Sequence, residues 1–378
     1  MNKSNIIGAI LATLLGVVAD ANAAPLYTAM DIGTLGGSTT FGSDINNLGQ
    51  VVGISATSGS VANNVFITGP NGVGMTDLGQ FAGGSNWADG INSSGQIIVN
   101  SGTYGYRSFI TGAGGVGSTE LLPLGEVSPF PTGSGSIGAW GINEAGQVTG
   151  RTSSGTGETT AFITGINGVG MTSIGTLGGS KSYGYGINDL GQVVGESQTF
   201  GDGALHAFIS GLNGVGLTDL GTLGGTNSHS MGVNNGGFVV GYSNVTGNSA
   251  EHAFLASTSM GMTDLGTLGG NDSVAVDVNE SGIVVGYSWT AVGEVHAFVT
   301  GPDGLGMTDL NSLVSLPVGV YLDNARGIND SGQIIAMGGG RSFLLMPISP
   351  VPEPPAYMLL FLGIGVVKYS MRMRNLRR

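Results

Sequence analysis

Short apolar runs alternate with glycine-rich polar turns along most of the chain, and the alternation itself recurs. Seven times an apolar residue (Ile45, Ile91, Ile142, Ile187, Val233, Val278, Ile328) precedes an asparagine (Asn46, Asn92, Asn143, Asn188, Asn234, Asn279, Asn329). A glycine stands three positions after each asparagine, followed by an apolar couple such as Val51-Val52, Val193-Val194 or Val284-Val285. The asparagines lie 45 to 51 residues apart, the spacing of propeller blades or solenoid coils. Asn at the first and Gly at the fourth position suit a type I turn that closes a hairpin through a left-handed residue, since Asn caps the turn and glycine enters that conformation without strain. The asparagines are therefore read as structural.

The turn divides two short strands, and a third follows with a phenylalanine in every copy: Phe66, Phe109, Phe162, Phe208, Phe254, Phe298 and Phe343. Turns such as Pro70-Asn71-Gly72, Ile166-Asn167-Gly168 and Pro302-Asp303-Gly304 lead to a fourth, as in Met75-Thr76-Asp77-Leu78-Gly79. Four strands per repeat, with one buried aromatic each, make a propeller blade. The last copy has no fourth strand after Phe343, while a spare one stands at the front, from Met30 to Gly37. The prediction is an all-β, seven-bladed propeller spanning residues 24–347, closed by an N-terminal strand that completes the last blade and hides both open edges. An open solenoid is the alternative, but it should carry distinct polar caps.

Composition narrows the class. Glycine is extreme, at 73 of 378 residues, yet there is no collagen period and 40% of residues are hydrophobic. With no cysteine, packing between repeats must hold the fold. Net charge is −13, and most of the basic residues sit at the two ends, so a nucleic-acid partner is not expected.

Those ends read as addresses. Residues 1–23 join Lys3, an apolar run from Ile6 to Val18, and Ala21-Asn22-Ala23, the pattern of a secretory signal helix cut by signal peptidase after Ala23. Residues 348–378 join Pro352-Glu353-Pro354, a short apolar helix from Ala356 to Val367, and Arg372, Arg374, Arg377 and Arg378. This tail resembles the PEP-CTERM sorting signal of Gram-negative bacteria, whose tripeptide matches Pro352, Glu353 and Pro354. The resemblance implies processing by exosortase, transient anchoring through the tail, and a role at the cell surface linked to exopolysaccharide. A simple C-terminal membrane anchor is the plainer alternative.

The body resembles the HAF-repeat family of extracellular proteins. The name-giving tripeptide appears as His206-Ala207-Phe208, His252-Ala253-Phe254 and His296-Ala297-Phe298, beside the recurrent Asp-Leu-Gly-Thr-Leu-Gly-Gly of residues 219 to 225 and 264 to 270. Elsewhere it has drifted, as in Asn64-Val65-Phe66 and Arg107-Ser108-Phe109. The family implies no defined activity.

Candidate chemistry is sparse. The three family histidines occupy equivalent places in different blades and cannot converge on a metal, so hydrogen bonding within each blade is expected. No cofactor is expected either; calcium, which needs six to eight converging oxygens, is only weakly allowed by isolated carboxylates such as Asp44, Asp77 and Asp277. The repeat varies most at three and five residues before each Asn, where Phe41, Trp87, Trp140, Tyr183, Tyr185 and His229 stand. At the mouth of a propeller channel these would form an aromatic platform for sugar rings, and exopolysaccharide is the expected ligand. They share a strand face with the buried Ile or Val, however, and packing between blades is the competing reading. The expected function is thus a non-catalytic, monomeric matrix or glycan-binding protein. The alternative is a polysaccharide-degrading enzyme built on Glu120 and Glu126 in the long insert before Gly138.

Overall fold

The computed structural model describes residues 26–59, 63–82, 84–102, 107–122, 136–153 and 159–348. The signal segment with Ala21 and Ala23, the sorting tripeptide Pro352-Glu353-Pro354, and Glu126 lie outside the described residues. The fold is all-β, built of four-stranded antiparallel sheets that follow the sequence repeat. The fourth repeat shows the plan. Strands Gly178–Ile187, Val193–Thr199, Leu205–Ser210 and Leu217–Asp219 pair in sequence order. A single parallel contact, Thr159 with Lys181, links this sheet to the third repeat's.

Each asparagine turn forms as its residues require. The Gly191 N–H donates to the Asn188 carbonyl at 3.0 Å, with Gly191 at φ +69°. The Asn188 Oδ1 accepts the N–H groups of Leu190 and Gln192 at 3.1 and 3.0 Å, which caps the turn. The Asn188 Nδ2 then donates to the Asn234 carbonyl of the next repeat at 3.0 Å. The same donation runs from Asn46 to Asn92, Asn92 to Asn143, Asn143 to Asn188, Asn234 to Asn279 and Asn279 to Asn329. It returns from Asn329 to Asn46 at 3.1 Å. All seven asparagines are buried.

Apolar packing follows the same circuit. Each of seven hydrophobic clusters among the described residues joins neighbouring repeats; Phe208, for example, lies with Ile163 and Ile174 of the repeat before it. One cluster unites Val51 and Phe66 of the first repeat with Ile335 and Leu344 of the last. Strand Asn324–Ile328 pairs with Ile334–Gly338, that with Arg341–Pro347, and the latter with an N-terminal strand, Tyr27–Asp31. This docked strand differs in register from the expected Met30–Gly37. Gly36, at φ +99°, already opens the first strand of the first repeat, Gly36–Ile45, and Arg341 pairs its guanidinium with Asp31 at 2.9 Å at the strand end.

The recurrent histidine is explained by the same edge. His206 meets Asp219 at 2.9 Å, His252 meets Asp264 at 2.8 Å, and His296 meets Asp309 at 2.7 Å, each within its own sheet. In the first two repeats, where the histidine has drifted, its replacement keeps the bond: Asn64 donates to Asp77 at 3.0 Å and Arg107 pairs with Glu120. Glu120 is thereby a strand-edge partner, on the short fourth strand Ser118–Glu120. Among the described residues no group of three or more His, Asp or Glu side chains is placed to hold a metal ion, and no helix is long and apolar enough to cross a membrane.

Removing the Asn188 side chain leaves the N–H groups of Leu190 and Gln192 without their acceptor and takes one of two donors from the Asn234 carbonyl, in a buried setting where each unpaired group costs on the order of 1–3 kcal/mol. Asn188→Ala is expected to lower stability by about 2–4 kcal/mol in urea unfolding, against about 0.5 kcal/mol or less for the exposed Asn47→Ala. Equal midpoints for the two variants would contradict the structural role of the buried ring.

Candidate functional site

The second strand of most repeats carries a glycine after its apolar couple. A Cβ on Gly195 would lie 1.8 Å from the Tyr183 carbonyl of the facing strand, and one on Gly241 would lie 1.9 Å from that of His229. Opposite this position the first strand bulges and the register skips one residue, in the second and seventh repeats as well, where Val99 and Ala336 stand in the glycine's place. The skip falls between Gly184 and Gly186, leaving Tyr185 as the extra residue. It falls at the same place in all seven repeats, singling out Ser43, Asp89, Trp140, Tyr185, Met231, Val276 and Arg326. A bulge re-aims its extra side chain. All seven line one cavity of about 610 Å³ to which every repeat contributes.

Of the residues singled out in the sequence, Phe41, Trp87, Trp140 and Tyr185 line this central cavity. Phe41 and Trp87 are the exposed pair, at 38% and 42%. Trp140 and Tyr185 are half-buried and touch across the third and fourth repeats, with ring centroids 5.1 Å apart. Tyr183 stands outside the lining, stacked on Tyr185 at 6.5 Å, and the Arg151 guanidinium lies 6.0 Å from the Trp140 ring and 5.9 Å from the Tyr183 ring. The set is thus split: some rings face solvent, while others pack partly against one another. His229 is separated from the rest. It belongs to a second cavity of about 430 Å³, which shares Tyr185, Met231, Val276 and Arg326 with the first.

Sequence reasoning missed the residue that follows the Val-Val-Gly run on the second strand. It faces the position five before Asn in every repeat: Tyr183 opposes Glu196, His229 opposes Tyr242, and Val274 opposes Tyr287. Its variability beside so uniform a run was the available signal. Glu196, 8% exposed, sits against His229 Nδ1 and accepts the Tyr185 hydroxyl at 3.2 Å. Burial, and then the Glu196 charge, drive the Tyr185 hydroxyl far above the usual tyrosine value and Tyr242 to about 12.

Three aspartates face the central cavity. Asp44 accepts the N–H of Ile45 at 2.8 Å and that of Ile91, in the next repeat, at 3.0 Å. Asp277 does the same for Val278 and Ile328, while Asp89 accepts from Asn100 at 2.6 Å. Burial pushes Asp44 up to about 7, helped by the charge of Asp277, and lifts Asp89 and Asp277 to about 6.

Neither a family model nor a curated protein matches the sequence. Solved structures do. An oligogalacturonate lyase from Vibrio parahaemolyticus aligns at TM-score 0.55 with 11% identity, covering 86% of this chain and 94% of that one. The β-propeller domain of the Trilobed protease from Pyrococcus furiosus, described as having an open velcro topology, aligns at TM-score 0.52 with 10% identity over 84% and 100%. The chain spans about three fifths of TolB from Acinetobacter baumannii, 61% of that protein and 68% of this one, at 10% identity and TM-score 0.47. The first two likenesses establish a propeller-type fold, and at such identity they speak for the fold alone.

A carboxyl whose folded value exceeds its unfolded one binds protons more tightly in the native state, so stability falls as pH rises through the interval between them. For Asp44 that interval runs from 3.8 to about 7. The melting temperature is expected to fall between pH 5 and pH 8 in calorimetry, with a shallower slope for Asp44→Asn. A melting temperature that rises over this range would contradict the assignment.

Proposed function

We propose that the chain is a secreted, non-catalytic, seven-bladed propeller that binds sugar at the mouth of its axial channel and serves as a structural or glycan-binding component of an exopolysaccharide layer. The observation that carries this reading is the repeated bulge, which gathers Trp140 and Tyr185 from separate repeats into one cavity beside Phe41 and Trp87. Rigid aromatic faces offer a large apolar surface to the C–H face of a pyranose, while the aspartates supply acceptors for its hydroxyls. The circle of asparagine hydrogen bonds supports a count of seven blades, and the pairing of Tyr27–Asp31 with the last repeat supports closure by the N-terminal strand.

The two ends complete the itinerary. Residues 1–23 direct export and are removed by signal peptidase; residues 348–378 hold the protein transiently in the membrane until exosortase acts at Pro352-Glu353-Pro354. The resemblance to HAF-repeat and PEP-CTERM proteins supports a destination at the surface of a Gram-negative bacterium. The mature protein is a monomer.

On a glycan array, replacing Phe41, Trp87 and Trp140 with alanine is expected to weaken exopolysaccharide binding by about tenfold or more, the loss of roughly 1.4 kcal/mol or more. Unaltered binding would remove the platform. Mass spectrometry of protein recovered from culture is expected to give a chain that begins at Ala24 and ends near Pro354. An intact chain of 378 residues would contradict the itinerary.

A further inference from the structure

The second cavity has a chemistry of its own. Its walls come from the fourth, fifth and sixth repeats and combine Tyr242, Tyr287 and Trp289 with Glu196, Glu251 and Asp272. Arg326, at the seam with the central cavity, is its one lining guanidinium or ammonium, and the Nδ1 of His229 is already engaged by Glu196. The remaining two carboxylates are differently placed. Asp272 accepts the Glu251 N–H at 2.9 Å, and Glu251 accepts from the side-chain amide of Asn244 at 3.2 Å, so the two acids are tied to each other through the backbone of one. Both are half-buried. The rings around them are held as well: His229 stacks on Tyr242 at 4.5 Å, and Tyr287 tilts against Trp289 at 5.9 Å.

Aromatic faces and fixed carboxylates in one recess share an electrostatic preference. The quadrupole of each ring presents negative charge to a ligand over its face, and a partly desolvated carboxylate adds to the same field. A uronate would be repelled by the two carboxylates, and a neutral hexose would offer them hydroxyl hydrogen bonds without a compensating charge. An ammonium answers both features, donating charge-assisted hydrogen bonds to the acids while its carbon skeleton lies against the rings. At about 430 Å³ the recess lies in the size range of small-molecule sites, about 300–1,000 Å³.

We propose that this cavity holds a protonated amino-sugar unit of a polysaccharide, its ammonium between Glu251 and Asp272 and its ring against Tyr242, Tyr287 and Trp289. The inference rests on the sugar-binding reading of the adjoining mouth and narrows it. The mouth then takes the flanking sugars of the same polymer through Trp140 and Tyr185, since Tyr185 belongs to both cavities.

The test titrates the full chain calorimetrically with three tetramers: β-1,4-linked glucosamine, its N-acetylated counterpart, and cellotetraose. The glucosamine tetramer is expected to bind about tenfold or more tighter than either neutral tetramer, a difference of about 1.4 kcal/mol. Glu251→Gln with Asp272→Asn is expected to abolish that preference and leave neutral binding intact. Lowering the net charge equally at the exposed turn residues, with Glu144→Gln and Glu280→Gln, is expected to preserve it. Equal affinity for all three tetramers, or a preference that survives the Glu251 and Asp272 changes, overturns the cavity assignment. So does a preference lost equally in the turn variant, which would trace it to bulk charge. Neutral tetramers that fail to bind, alongside a glucosamine tetramer that binds through Glu251 and Asp272, would instead remove the aromatic platform and leave the cavity standing.

Discussion

A side chain that must serve two repeats at once holds this molecule together. Each buried asparagine uses its oxygen to cap its own turn and its amide to reach the carbonyl of the next asparagine, so one amide donation per turn finds its acceptor only in the neighbouring repeat. A buried amide left without a partner costs more than the bond returns, and the circuit is stable only when complete. The hydrophobic clusters obey the same logic, since each takes residues from two repeats and one of them joins the last repeat to the first. In a chain without cysteine, with glycine at nearly every turn, these shared interactions replace cross-links as the source of order.

The uniformity of that frame is what allows the cavities to differ. At the same place in every repeat the first strand bulges, whether Gly195, Val99 or Ala336 faces it, and one residue per repeat is set toward the cavity. Because the backbone fixes the direction, the residue itself is free to be Ser43, Trp140, Met231 or Arg326 without cost to the fold. Chemical asymmetry thus enters through single positions. Aromatic side chains gather around the third and fourth repeats, and acids and aromatics around the fourth to sixth.

Much of this was written in the sequence. The turn asparagines, the single phenylalanine per repeat and the spacing between them give the strand order, because each reflects a local rule: αL glycine, hairpin capping, burial of one large ring. The variable positions ahead of each asparagine were visible too, as departures from an otherwise constant phrase. What stayed hidden depends on two backbones meeting. The Val-Val-Gly glycine reads as a weak point in a strand, and only the facing carbonyl explains it. The amide donation between repeats, the pairing of Glu196 with His229, and the shift of the docked strand to Tyr27–Asp31 likewise need residues brought together from distant parts of the chain. The histidine pairing was closer to legible: His206 with Asp219 becomes Arg107 with Glu120, both members changing, while Asn64 keeps an aspartate partner in Asp77.

The central claim is that the repeats close on themselves, with the first strand docked on the last repeat. Amide hydrogen exchange on the intact protein reads this most directly. The account predicts that the N–H groups of residues 27–32 exchange as slowly as those of the equivalent strand Met75–Gly79, and that the turn of Asn329 is as protected as that of Asn188. Rapid exchange over residues 27–32 and at the Asn329 turn, with the middle repeats still protected, would mean that the circle is open.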